Sequence, residues 1–148
     1  MNEIRIPTAA AMRELGARIA LCALPGDVII LDGDLGAGKT TWMQGFAAAL
    51  GVSELITSPT FVISREHQGA RFPVTHIDTY RLSSGAELED LDIDWASGVV
   101  VLEWAEGLVR EPTLTLRIEA DDDDVRAVRA ETNEPRYIAC LSAAGEAC

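Results

Sequence analysis

One stretch constrains this chain more than any other. Gly33-Asp34-Leu35-Gly36-Ala37-Gly38-Lys39-Thr40 fits the pattern G-x-x-x-x-G-K-S/T, the phosphate-binding loop of nucleoside triphosphatases. With glycine at about 7% of residues, a chance match in a chain this size is on the order of a percent or less. The context agrees with the motif. Val28-Ile29-Ile30-Leu31 reads as a buried strand before it, and Thr41 to Leu50 reads as a helix after it. Strand, glycine loop and helix are the arrangement the chemistry requires.

The residue types explain why such a loop holds phosphate. Glycines let the backbone curl so that successive N–H groups, here of Leu35, Gly36, Ala37 and Gly38, point inward without a side chain in the way. The helix starting near Lys39 adds about half a positive charge at its N-terminus. Lys39 supplies a full charge to the β- and γ-phosphates, and Thr40 offers its hydroxyl to magnesium. Thr41 is a second hydroxyl in the first turn, with two readings open: a phosphate contact or a backbone cap.

A strand–loop–helix unit needs a core around it. The 148 residues are 48% hydrophobic, a size and composition that predict one domain over residues 1–148. No stretch approaches the 18 apolar residues of a membrane span, and the N-terminus lacks the pattern of a signal peptide, so a cytoplasmic protein is expected. Cys22, Cys140 and Cys148 make neither a C-x-x-C pair nor a zinc spacing and read as idle thiols. The net charge is −12, and Lys39 is the only lysine. Nucleic-acid binding rests on neutralising phosphates with Lys and Arg, so direct, tight RNA or DNA binding is not expected. An acidic surface suits either plain solubility or docking on a basic partner.

Hydrophobic spacing outlines the rest. Glu3 to Ile6 reads as a short strand. Thr8 caps a helix from Ala9 to about Ala23, with Met12, Leu15, Ile19 and Cys22 as its buried stripe. Pro25-Gly26-Asp27 turns into the loop strand, and Gly51 ends the loop helix. Thr57-Ser58-Pro59-Thr60 is a polar bend before a strand at Phe61-Val62-Ile63. Gln68-Gly69-Ala70 is a hairpin turn, Val74 to Asp78 a strand, and Ser83-Ser84-Gly85 opens a short acidic helix to about Leu91. Val99 to Glu103 is a near-continuous apolar run, as for a strand covered on both faces. Leu114, Leu116 and Ile118 alternate with Thr115, Arg117 and Glu119, which predicts a half-exposed strand, antiparallel at one edge. Asp121 to Asp124 is an acidic turn, and Val125 to Glu131 pairs back as a further strand. Beyond about Tyr137 the sequence assigns no role.

A nucleotide hydrolase also needs a carboxylate at the end of a neighbouring strand. Asp78 and Glu103 each end an apolar run, and in an open α/β sheet both lie at the carboxyl edge near the loop. His76 shares a strand face with Asp78 but has no second ligand at metal spacing, so it reads as structural. Trp104 reads as core or as a neighbour of the nucleotide. Tyr80 and Arg81 are candidate contacts for phosphate or a partner.

Four pieces in this order carry a resemblance: Gly33 to Thr41, Ser58-Pro59-Thr60-Phe61, His76-Ile77-Asp78-Thr79-Tyr80-Arg81-Leu82 and Val101-Leu102-Glu103-Trp104. Over roughly residues 1–120 the chain resembles the TsaE (formerly YjeE) family, the small ATPase of bacterial tRNA threonylcarbamoyladenosine synthesis. The resemblance implies an α/β, P-loop three-layer sandwich with a parallel central sheet flanked by antiparallel strands. It implies ATP and Mg2+, with Thr40 and Glu103 on the metal side and Asp78 supporting hydrolysis. Thr60 falls in the family's first switch segment, Trp104 beside the nucleotide, and Thr8 near the contact to the base. Arg126 is a candidate for reaching the nucleotide. The implied partners are TsaB and TsaD, which modify adenosine 37 of tRNAs reading codons that begin with A, so tRNA is met only through them.

Two features depart from the family. Ala105 stands where a proline usually follows Glu-Trp, and the Asp121–Asp124 turn is atypical. Two other functions compete. A small-molecule kinase uses the same loop but needs an arginine-rich lid, whereas Arg65, Arg71 and Arg81 are scattered. A guanine-specific switch protein carries an Asn-Lys-x-Asp element, which Asn133-Glu134-Pro135-Arg136 does not match.

Overall fold

A computed structural model describes residues 3–33, 38–53, 64–79, 91–103, 109, 111–120 and 125–146. Along the chain these form β1 (Glu3–Ile6), α1 (Ala9–Cys22), β2 (Val28–Asp32), α2 (Lys39–Ala49), β3 (Ser64–Gln68), β4 (Pro73–Asp78), β5 (Val99–Glu103), β6 (Leu114–Ala120), β7 (Arg126–Glu131) and α3 (Pro135–Glu146). The expected bend at Ser58–Thr60, the strand at Phe61–Ile63, the acidic helix after Ser83 and the Asp121–Asp124 turn lie outside the described residues.

The strands form one sheet in the order β1-β7-β6-β2-β5-β4-β3. Four central strands, β6, β2, β5 and β4, run parallel; β7 and β3 join them antiparallel, and β1 pairs antiparallel with β7. The fold is therefore α/β, with a parallel centre and antiparallel flanks. All five residues of β5 are buried, as its unbroken apolar run requires.

Strand alternation sorts the core into two layers. Ile29, Leu31, Val99, Val101, Leu114 and Leu116 face the helices, where Met12, Leu15 and Ile19 of α1 and Trp42, Met43 and Phe46 of α2 meet them. Ile30, Ile77, Val100 and Leu102 face the other way, under Leu91, Ile93, Trp95 and Val109. Among the described residues, all three helices pack on the first face, and an irregular stretch covers the second.

The helices α1 and α2 approach closely because glycine allows it. A Cβ on Gly45 would lie 2.0 Å from the Arg13 carbonyl oxygen, and one on Gly16 would lie 2.2 Å from that of Trp42. The contact therefore runs backbone to backbone and fixes α2, with its phosphate-loop end, against α1.

The expected antiparallel edge strand at Leu114–Ile118 is a correction. β6 lies inside the sheet, parallel to β2 on one side and antiparallel to β7 on the other. Its polar residues do not mark an edge: Thr115 is buried, and Arg117 is half-buried against Asp32 of β2, with Nη1 2.8 Å from Oδ2. An alternating pattern reports which face is polar, and strand order is a separate property.

The segment past Tyr137 is helix α3, and one buried carboxylate docks it. Asp27 accepts two hydrogen bonds from the Arg136 guanidinium, at 3.0 and 2.9 Å, one from the Leu24 N–H at 2.9 Å and one from the Tyr137 hydroxyl. Burial pushes the Asp27 carboxyl up, but the donors from Arg136, Tyr137 and Leu24 outweigh it and hold the group below the ordinary carboxylate value. Tyr137 is raised in turn, by burial first and then by its bond to Asp27. Cys22 and Cys140 are free thiols, half-buried at the seam between α1 and α3; burial, then the Cys22 thiol, pushes Cys140 up to about 12.

Candidate nucleotide site

The site forms where β2 ends and α2 begins. α1 starts with Thr8 as its cap, whose hydroxyl oxygen accepts from the Ala11 N–H at 3.0 Å. α2 starts with Gly38, which offers no side-chain acceptor, and its first turn holds no acidic residue. Among the described residues, the first amides of α2 thus have no side-chain anion capping them. Gly38 has φ +118, a backbone shape that L side chains rarely adopt, so the second glycine of the motif is needed for its conformation. Lys39 is buried, and its Nζ donates to the Gly33 carbonyl at 2.6 Å, tying the start of the loop to its end.

Parallel register brings the carboxylates to the same edge. Leu31 pairs with Glu103, Glu103 with Asp78, and Asp32 with Arg117. β5 and β4 therefore present Glu103 and Asp78 side by side at the carboxyl edge, while Asp32 at the end of β2 pairs with Arg117 of β6 on the opposite sheet face. Val99 and Val101 face the helices, so strand alternation puts Glu103 on that face too; Val74 does the same for His76 and Asp78. That is the side on which Lys39 opens α2.

Glu103 is held at both ends. Its carbonyl accepts from the Thr79 N–H at 3.0 Å and from the Thr79 hydroxyl at 2.7 Å. Its carboxylate Oε2 lies 2.8 Å from Nε2 of His76, and both side chains are buried. Asp78 beside it is half-buried.

A second feature adjoins the loop. A cavity of about 180 Å³ is lined by Pro7, Thr8, Met12, Gly38, Thr41 and Arg126, among others. The β1–α1 junction, the start of α2 and the start of β7 meet there. Thr8, Thr41 and Arg126, distant in sequence, share one wall.

Of the residues singled out from sequence, the fold gathers Gly38, Lys39, Thr40, Thr41, Asp78 and Glu103 around the carboxyl edge, with Thr8 and Arg126 in the adjoining cavity. Leu35, Gly36, Ala37, Thr60 and Trp104 lie outside the described residues, as do Tyr80 and Arg81. Sequence reasoning missed Thr79 and the partnership of His76 with Glu103. The only available signal was that His76 and Asp78 share a face; that the Val99–Glu103 strand lies beside them was not legible.

A family model described as "Threonylcarbamoyl adenosine biosynthesis protein TsaE" matches residues 6–129, more than four-fifths of the chain. The chain belongs to the TsaE family. The matched span runs from the end of β1 into β7 and includes every residue at the carboxyl edge. Curated relatives carry the name tRNA threonylcarbamoyladenosine biosynthesis protein TsaE. The one from Streptomyces coelicolor is 47% identical over 135 residues, covering 86% of this chain and 87% of the relative. The one from Bacillus subtilis is 40% identical over 124 residues, covering 80% and 77%. The Mycobacterium tuberculosis protein is 43% identical over 136 residues, covering 82% and 76%. Among solved structures, Bacillus subtilis YdiB superposes with a TM-score of 0.79 at 29% identity, over 99% of this chain and 95% of that one.

The residues present suit a magnesium ion. Thr40 and Glu103 offer a hydroxyl and a carboxylate, the hard oxygen donors this ion prefers, and magnesium keeps several waters while taking one or two protein carboxylates. Among the described residues, no cluster of three or more His, Cys, Asp or Glu is built to hold a metal. Among the described residues, no helix is long and apolar enough to cross a membrane.

Proposed function

We propose that the chain is a magnesium-dependent ATPase subunit, a single P-loop domain acting in the cytoplasm, that serves threonylcarbamoyl modification of tRNA adenosine 37 together with TsaB and TsaD. One observation carries the catalytic part of this reading: the in-register pairing of Asp78 with Glu103 on the sheet face where Lys39 opens α2. A cationic loop end and two carboxylates at one edge are the parts phosphoryl chemistry needs.

In this reading the amides of Leu35 to Lys39 and the Lys39 ammonium bind the phosphates. Thr40 and Glu103 hold magnesium, which when bound neutralises charge on the β- and γ-phosphate oxygens. Asp78, more exposed than Glu103, orients the attacking water and accepts its proton. Thr60 closes the site from the switch segment. The cavity lined by Thr8, Thr41 and Arg126 receives the nucleoside, with Trp104 next to it. The net charge of −12 supports an indirect relation to tRNA, in which the partners supply the RNA-binding surface.

Calorimetric titration with Mg·ATP and with Mg·GTP, followed by ATPase assays with and without TsaB and TsaD, tests the proposal. The expected results are saturable binding that prefers ATP and hydrolysis that rises when the pair is added. A folded chain that gives no saturable heat at millimolar Mg·ATP overturns it.

A further inference from the structure

We propose that His76 is the positioning residue for Glu103: its imidazole N–H holds one carboxylate oxygen so that the other is presented to magnesium. This rests on the reading of Glu103 as a metal ligand.

The geometry begins with strand register. Asp78 pairs with Glu103 and His76 with Val101, so His76 sits one same-face step behind the carboxylate pair. A glutamate side chain reaching back along the face meets the imidazole there, with Oε2 2.8 Å from Nε2. A carboxylate can only accept, so Nε2 is the donor. His76 is 1% exposed and Glu103 4%, so water does not compete for this bond.

The other ring nitrogen, Nδ1, is buried, and among the described residues it has no hydrogen-bond partner. An unpaired buried polar atom is normally costly, and an apolar side chain of similar volume would avoid that cost. Among the described residues, the bond to Glu103 is the one polar interaction of the ring. Thr79 fixes the other end of the same residue, with its N–H and hydroxyl both on the Glu103 carbonyl. Backbone and carboxylate are thus fixed separately. Among the described residues, Oε1 is engaged by no hydrogen bond. Partners of this kind, which set the orientation of a ligating side chain, typically change metal affinity 10–100-fold when removed.

The test measures binding, not turnover. The full chain is titrated with the non-hydrolysable imido analogue of ATP, once with magnesium and once with chelator, and the ratio of the two affinities is taken. His76→Leu removes the donor and keeps most of the volume. His76→Gln returns an amide N–H that reaches the same oxygen. The expected result is a ratio about tenfold smaller in His76→Leu, restored in His76→Gln, with metal-free affinity unchanged in both. If the leucine variant does not fold, His76→Asn, whose amide is too short to reach, takes its place. A wild-type ratio retained in His76→Leu overturns the positioning role. Equal loss in the leucine and glutamine variants overturns it as well, because ring packing would then be the cause. A wild-type chain whose binding ignores magnesium overturns the metal reading itself, a failure distinct from the other two.

Discussion

Asp78 and Glu103 are direct neighbours on parallel strands β4 and β5, on one sheet face, yet their surroundings differ. Glu103 is buried and bonded to His76, whereas Asp78 is half-buried. Under the proposed function the two would divide the work, the fixed carboxylate of Glu103 serving the metal and the more exposed one of Asp78 the proton. Asp78→Asn is expected to lower kcat by on the order of a hundredfold while the affinity for Mg·ATP changes little. Glu103→Gln is expected to weaken magnesium-dependent binding more than metal-free ADP binding. Single-turnover kinetics and paired titrations separate the two. An unaltered rate in Asp78→Asn removes that residue from the mechanism.

Lys39→Ala removes the one lysine of the chain, whose side chain is buried beside the loop. A hydrogen bond to a charged group contributes about 1.5–3 kcal/mol. Triphosphate affinity should fall by roughly 10–150-fold with Tm little changed. Calorimetry and a thermal melt together check this, and unchanged affinity would refute the role of the loop.

Gly45→Ala tests the α1–α2 contact. The new Cβ would stand 2.0 Å from the Arg13 carbonyl oxygen, a backbone atom that cannot rotate away. Overpacking of this kind costs about 1–3 kcal/mol or more, and exceeds what alanine returns in helix propensity. For a chain of this size, Tm should fall by roughly 5–10 °C. A melt at or above the wild-type temperature would mean that the helices are not fixed at this distance.

Asp27→Asn tests the docking of α3. The Asp27 carboxyl titrates below its ordinary value in the folded chain, so its contribution is present above the ordinary carboxylate pKa of about 3.9 and is lost as pH falls through the lower folded value. The wild type should lose stability on acidification below about pH 4. At pH 7 the variant should be less stable by about 2 kcal/mol, the loss of charge-assisted bonds to Arg136 and Tyr137. Its acid limb should also be shallower. Urea unfolding at pH 7 and pH 3 measures both, and equal stabilities at pH 7 would show that the clamp adds nothing.

Local chemistry was legible because its signals are local. The loop announces itself through Gly33, Gly38, Lys39 and Thr40, since only those residue types curl a backbone and carry charge in that order. Thr8 showed as a cap, and the unbroken apolar run of Val99 to Leu102 showed as a strand covered on both faces. Asp78 and Glu103 could be named as strand-end carboxylates for the same reason. The sequence alone thus determined the α/β alternation and named the strand-end carboxylates Asp78 and Glu103 that the register brings together.

Strand order was decided only in three dimensions. Leu114 to Ile118 alternates like an edge strand, yet it lies between β2 and β7, where Arg117 pairs with Asp32 of the neighbouring strand. His76 looked like a lone core histidine until β5 came to lie beside β4 and put Glu103 within 2.8 Å. The segment past Tyr137 had no reading until the Asp27 carboxylate, 110 residues away, gave its tyrosine and arginine a common acceptor. Each of these depends on pairing between distant segments. A periodic pattern fixes which way a side chain faces; the neighbour it meets there is set by the packing of the whole sheet.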